Sequence, residues 1–285
     1  MWFPNLMKRA RRSRRGTLRI KSNRRNKSRR RFRKQIGSAI KPIPVFIISY
    51  NQYTYLKSMI EQLSKYPSMS LNVIDNKSTY PPLIEYLKQL ESDGKVRVLY
   101  QPENYGHKVY ERDEIVALGG DKYIVTDPDL LLNPNIPNNF VEILSNISDK
   151  YKANKVGFAL DIKNNINMNR KIQVTNNDAN VFGAAVWKKQ EGKTIQEMEA
   201  DFWKQKIDDP DYELYRAPID TTFALINKAY YKKGSMENCI RVAGDFTAVH
   251  RTWLNGFEKD FQRGEYEHYL GKGNKSSTAK LLKVK

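Results

Sequence analysis

Lys122-Tyr123-Ile124-Val125-Thr126-Asp127-Pro128-Asp129-Leu130-Leu131-Leu132 sets a short apolar run against two carboxylates separated by one proline. Runs of this length, apolar and partly β-branched, form strands buried on both faces. In an extended segment, side chains two apart point the same way, so Asp127 and Asp129 are expected to face one side. Pro128 fixes a backbone torsion between them and has no N–H to donate. Two carboxylates held close repel each other unless something positive sits between them. Hard oxygen donors of this kind suit Mg²⁺ or Mn²⁺, ions that also bind phosphates. A plain polar turn is the alternative, because Asp and Pro are common turn residues. The three leucines that follow place the motif in a buried setting.

Three earlier segments repeat the pattern of strand then helix. Ile43–Ser49 follows Pro42 as an apolar strand, and Leu56, Met59, Ile60 and Leu63 recur at helical spacing until Pro67. Leu71–Asp75 is a second strand, Asn76–Tyr80 a turn, and Pro81 or Pro82 opens a helix carrying Leu83, Ile84, Leu87 and Leu90. Lys95–Leu99 is a third strand, and a helix from His107 to Leu118 ends at Gly119-Gly120. Such alternation predicts an α/β fold with right-handed crossovers, a mostly parallel sheet and helices on both faces. Ligands of these sheets gather at the carboxyl ends of strands. Asn51, Asp75-Asn76-Lys77-Ser78 and Asp127-Pro128-Asp129 occupy three such ends.

Downstream, the pattern predicts a helix over 138–151, a strand over Lys155–Leu160 and a long Asn-rich loop through Asn180 of the kind that often serves as a lid. It then predicts a helix over Ile195–Lys206, a strand from Tyr212 to Ile226 kinked at Pro218, and a last strand over Ile240–Ala243. Residues 1–40 read as a disordered basic arm, 41–270 as one domain and 271–285 as a flexible tail. No repeat of solenoid or propeller period is present.

The 285 residues carry 50 Lys and Arg against 31 Asp and Glu, a formal charge of +19. Residues 1–34 hold 16 of the basic side chains and no acidic one, so removing them leaves +3 for the remaining 251. The excess therefore belongs to the arm, and residues 8–34 are a candidate contact for nucleic acid or an anionic membrane. A solvated, solubilising tail is the equal alternative. Phe32 is the one aromatic among those basic residues, which gives bases little to stack on. A single cysteine, Cys239, excludes an internal disulfide framework and a cysteine-built zinc cluster, and suits a reducing compartment. No window approaches the roughly 20 apolar residues of a spanning helix, and Met1–Met7 is too short for a secretory signal. A cytoplasmic chain is expected, with membrane-surface association through the arm as a further option.

Ile47-Ile48-Ser49-Tyr50-Asn51, Val73-Ile74-Asp75-Asn76-Lys77-Ser78, Asn104-Tyr105-Gly106-His107 and Thr126-Asp127-Pro128-Asp129 resemble, in order, the successive motifs of family 2-like glycosyltransferases with the GT-A, Rossmann-like nucleotide-diphospho-sugar fold. The likeness covers about Pro42 to Leu132, and continues more loosely through Ala217-Pro218-Ile219-Asp220-Thr221-Thr222 and His250. It implies a metal-dependent transfer of a sugar from a nucleotide-diphospho-sugar to an acceptor hydroxyl on a glycan, protein or lipid, with inversion at the anomeric carbon favoured. Mn²⁺ or Mg²⁺ is the implied cofactor. The resemblance puts Asp75 on the base of the nucleotide, Asn51 in the same pocket and Asp129 on the metal. Asp127 would reach the ribose, the metal or a metal-bound water.

Within the same resemblance, His250 would be a third metal or diphosphate contact, with Arg251 a lesser candidate for phosphate. Asp220 is the candidate base for the acceptor hydroxyl. The family pairs two acidic residues in that late segment, whereas Ile219 precedes Asp220 here. Asp220 capping the next turn, or pairing with Arg216, stays open. His107 is either a nucleotide neighbour or a solvated loop residue. Glu199, Asp201, Phe202 and Trp203 form either a sugar-binding floor or core packing. Gly183 is read as a plain turn or a close approach to the donor. Two rival readings remain: a polyanion-binding protein on an inactive scaffold, and a nucleotidyltransferase. The latter lacks a Gly-rich, basic phosphate loop after the first strand.

Overall fold

The computed structural model describes residues 41–163, 192–271, 273–276 and 279. The basic arm, most of the Asn-rich loop and Gly183 lie outside the described residues. The described residues from 42 onward form one compact unit.

Four parallel strands make the first half: β1 (Ile43–Ser49), β2 (Met69–Asp75), β3 (Arg97–Tyr100) and β4 (Lys122–Thr126). The register sets Ser49 beside Asp75 and Ile47 beside Thr126, so these strands end at one edge. Helices α1 (Tyr53–Leu63), α2 (Pro81–Ser92) and α3 (Asp113–Leu118) connect them. The expected helix from His107 divides into a 3₁₀ turn, Gly106–Glu111, and α3, because Arg112 is extended (ψ 138°).

Alternation within β1 shows how the two faces are covered. Val45 and Ile47 pack into a large core with Leu56, Met59, Leu83 and Leu87, whereas Phe46 and Ile48 pack with Val109, Tyr110 and Ile115 on the other face. Burial on both sides explains why β1 reads as a continuous apolar run. Each fully buried aliphatic side chain contributes about 1.5–3 kcal/mol relative to exposure.

The second half adds β5 (Leu130–Leu131), α4 (Phe140–Tyr151), β6 (Lys155–Phe158), α5 (Ile195–Asp201), β7 (Lys206–Ile207), β8 (Leu214–Arg216), β9 (Ala224–Asn227), β10 (Cys239–Val242), β11 (Val249–His250) and α6 (Glu265–Tyr269). Among the described residues the main sheet has the order β3-β2-β1-β4-β9-β6-β10-β8-β7. Its pairings leave only β8 and β9 running against the other strands. The mostly parallel α/β sheet flanked by helices, expected for a GT-A fold, is therefore the architecture of this chain.

One expectation is corrected. The kinked strand from Tyr212 to Ile226 is two strands in different places, with β8 outside β10 and β9 between β4 and β6. Residues 217–223 link them, and Phe223 takes a left-handed backbone (φ 48°) that bulky residues rarely adopt. In the segment read as a flexible tail, Ala279 is fully buried and Asn274 nearly so. No helix among the described residues is long and apolar enough to cross a membrane.

Candidate metal and nucleotide site

β5 pairs with β11 in a small antiparallel ribbon that sets His250 opposite Leu130. The backbone N–H of Arg251 donates to the Asp129 carbonyl (2.8 Å), which fixes His250 next to the carboxylate pair. One ligand atom each from Asp127, Asp129 and His250 lies within 4.8 Å of the others. Asp127-Pro128-Asp129 is a turn rather than the extended segment expected from its sequence. That turn, together with the ribbon, brings the carboxylates together.

Hydroxyl groups orient both acids. Thr221 Oγ1 lies 2.8 Å from each Asp127 oxygen, and Thr252 Oγ1 donates to Asp129 Oδ2 at 2.5 Å. The Asp127 N–H donates to the Thr221 carbonyl (2.9 Å), tying the end of β4 to the 217–223 segment. Thr221 and Thr252 escaped the sequence reading, although each adjoins or nearly adjoins a candidate residue, Asp220 and His250. The imidazole of His250 stacks on Trp253 with centroids 4.1 Å apart, and its Nδ1 lies 3.5 Å from Asp129 Oδ2.

Electrostatics set the site apart from an ordinary turn. Burial first, then the charges of Asp129 and Asp220, push the Asp127 carboxyl well above its ordinary range. Burial also pulls His250 below its ordinary value, against the pull of Asp129, so its ring is neutral at pH 7. A neutral imidazole nitrogen beside two crowded carboxylate oxygens is a donor set suited to Mn²⁺ or Mg²⁺. The residues present fit a divalent ion, because a cation among them would remove the repulsion that raises Asp127.

The three residues line a cleft, open to solvent, which extends past Tyr50, Asn76, Asn104 and His107 to Tyr269 and Lys275. Asp220 stands beside it, with Oδ2 3.8 Å from His107 Nε2. Arg216 reaches Asn238 (3.4 Å) instead. The buried ammonium of Lys155 lies 3.1 Å from the Ile219 carbonyl and 3.4 Å from that of Asp220, and Arg241 donates to the Pro218 carbonyl (2.9 Å). Two buried cations thus hold the irregular segment that carries Asp220.

Asn51 and Asp75 occupy the expected strand ends, but neighbouring groups already engage their side chains. Asn51 (φ 53°) accepts from the N–H groups of Thr79 (2.7 Å) and Tyr80 (3.1 Å) and donates to the His268 carbonyl (3.0 Å). Asp75 accepts from the Ser78 N–H at 3.2 Å, and burial raises its carboxyl above the ordinary value. Tyr50, Gln52 and Asn76, rather than Asn51 and Asp75, line the cleft there. Arg251 bonds to Asp260 (3.0 Å) and lies over Tyr55, which occupies its guanidinium. Glu199 pairs with Arg241 in the interior (2.6 Å), Phe202 packs under Arg241, and Asp201 holds Lys193 and Lys204. Trp203 packs on Tyr215. That cluster is packing and charge pairing.

No protein-family model and no curated protein matches the chain. Solved structures similar to it include the mannosyltransferase PcManGT from Pyrobaculum calidifontis in complex with GDP-Man and Mn²⁺, with a TM-score of 0.44 at 11% identity over 78% of this chain and 60% of that one. GalNAc-T7 with UDP, GalNAc and Mn²⁺ gives 0.49 at 13% identity, over 77% and 45%. TarS residues 1–349 from S. aureus gives 0.37 at 12%, over 66% and 47%. The chain spans less than two thirds of each of these structures.

Proposed function

We propose that the chain is a divalent-metal-dependent glycosyltransferase that moves a sugar from a nucleotide-diphospho-sugar to an acceptor hydroxyl with inversion. The observation that carries this reading is the convergence of Asp127, Asp129 and His250 at the strand edge of an open cleft. Asp127, Asp129 and His250 would hold the ion, which supplies positive charge against the departing diphosphate. Thr221 and Thr252 keep the two carboxylates aimed at the cleft and occupy lone pairs that would otherwise be unpaired. Asp220 would take the proton from the acceptor oxygen. His107, 3.8 Å from Asp220, would fix the orientation of that carboxylate. Tyr50, Gln52, Asn76 and Asn104 line the proposed nucleotide side of the cleft, where the amides of Asn76 and Asn104 also hold the 104–106 loop and the Gly273 carbonyl.

The test is a panel of nucleotide sugars, with Mn²⁺ and with a chelator, reading donor hydrolysis and transfer. Asp129→Asn is expected to lower turnover at least 100-fold and to remove Mn²⁺ binding by calorimetry. Asp220→Asn is expected to depress transfer while donor affinity is retained. Wild-type turnover with nucleoside triphosphates and none with any nucleotide sugar would establish the nucleotidyltransferase alternative instead.

A further inference from the structure

The cleft poses a problem of charge. Asp127 and Asp129 line it, Asp220 stands beside it, and a nucleotide-sugar diphosphate would bring about two more negative charges at neutral pH. One divalent ion offsets about two of those roughly five charges. Among the described residues lining the cleft, the one Lys or Arg side chain is Lys275. It lies in the segment whose sequence of Gly, Ser and Lys reads as a tail, and its ammonium forms no ion pair with a described residue.

We propose that Lys275 is a diphosphate-binding residue, carried over the cleft by a strap formed from α6 and the described residues that follow it. The assignment rests on the cleft being a nucleotide-diphospho-sugar site. Several contacts hold the strap independently of one another. The buried carboxylate of Glu265 accepts from the Thr54 N–H (2.8 Å) and the Thr54 hydroxyl (2.6 Å) at the start of α1. Asn51 donates to the His268 carbonyl (3.0 Å), and Asn104 donates to the Gly273 carbonyl (2.8 Å). Asn274 donates to the Tyr269 carbonyl (2.6 Å), and Ala279 buries itself against Phe257 and Tyr269.

Two glycines shape the crossing. A Cβ on Gly273 would fall 2.5 Å from the Tyr50 hydroxyl, so any other residue there would have to displace the end of the Tyr50 side chain. Gly106 turns with φ +74°, and Lys275 Cβ sits 3.5 Å from where a Cβ on Gly106 would stand. The strap and the 104–106 loop are therefore fitted to each other at the point where Lys275 enters the cleft. A strap anchored by a buried carboxylate at one end and a buried alanine at the other gives the lysine a defined place. A lysine on a loose tail would have none.

The experiment uses the full chain and calorimetric titration with inorganic pyrophosphate, UDP and GDP in the presence of Mn²⁺, with uridine and guanosine, and with Mn²⁺ alone. Lys275→Ala is expected to weaken pyrophosphate and the tighter of the two nucleoside diphosphates about tenfold, the size of one charge-assisted hydrogen bond. Nucleoside and Mn²⁺ affinities are expected to stay at wild-type values, and Lys275→Arg to recover most of the loss. Unchanged diphosphate affinity in Lys275→Ala overturns the assignment. An equal loss for nucleosides also overturns it, since the residue would then be shaping the strap. A wild-type chain that binds Mn²⁺ but none of the three phosphates removes the nucleotide-sugar reading itself, and the role of Lys275 with it.

Discussion

Asp127 concentrates the chemistry of the site in a single carboxyl group. Its proton affinity in the folded chain exceeds the ordinary value of 3.8 because burial and the charges of Asp129 and Asp220 disfavour ionisation. As pH rises through 3.8 the unfolded chain loses this proton first, so stability falls with pH until the raised folded value is passed. His250 acts with the opposite sign, since its lowered folded value costs stability as pH falls below 6.5. Asp127→Asn removes the first contribution and leaves the second. Without metal, this variant is expected to be more stable than wild type at pH 7, by about 0.5–2 kcal/mol, the usual gain when a functional strain is relieved. Thermal melts at pH 5 and pH 7 check it: the gain should shrink at the lower pH, and the stabilisation that Mn²⁺ gives wild type should disappear. An unchanged metal-free melting temperature would mean that the two carboxylates do not repel.

Helix α1 has no side-chain cap of its own, and Gln52 at its N-cap position makes no capping bond. The cap comes from another element, because Glu265 of α6 accepts the Thr54 N–H and the Thr54 hydroxyl while also holding the Gln262 N–H (3.0 Å). Local sequence therefore understates the stability of α1, and α6, only five residues long, is held by the helix it caps. Glu265→Ala should cost about 1–2 kcal/mol, the size of a lost cap, and leave buried donors unpaired. The urea midpoint should fall with an unchanged slope. Glu265→Gln, which keeps one carbonyl acceptor, should lose less. A full loss in Glu265→Ala with none in Glu265→Gln would show that packing of the side chain, not its paired carboxylate hydrogen bonds, holds the strap.

At the scale of the molecule, charge and chemistry occupy different parts of the chain. The 16 cations of residues 1–34 stand apart in sequence from a body whose remaining charge is +3, and the candidate site draws on residues 48–276. Deleting residues 1–34 is expected to leave Mn²⁺ affinity and any donor turnover within twofold of the full chain. Binding to heparin or to anionic vesicles at 50 mM salt should drop by at least an order of magnitude, together with its dependence on salt. Loss of turnover on deletion would join the arm to the site. A full chain that binds polyanions but no nucleotide-sugar donor would instead favour the inactive-scaffold reading.

The sequence by itself determined the alternation of strand and helix, because parallel strands covered on both faces must be continuous apolar runs and the helices over them must be apolar at a period of 3.6. It also determined that Asp127 and Asp129 lie at the end of β4, since polar residues directly after such a run fall at the sheet's edge. The resemblance pointed to His250, but only the tertiary structure showed the ribbon that sets it beside them, the loops that Asn51 and Asp75 hold, and Lys275 at the cleft. The physical reason is that these outcomes depend on pairings between distant segments: a two-residue ribbon, an amide shared by two loops and a strap seated on two glycines. Each is too short, or too polar, to leave a periodic pattern in the chain.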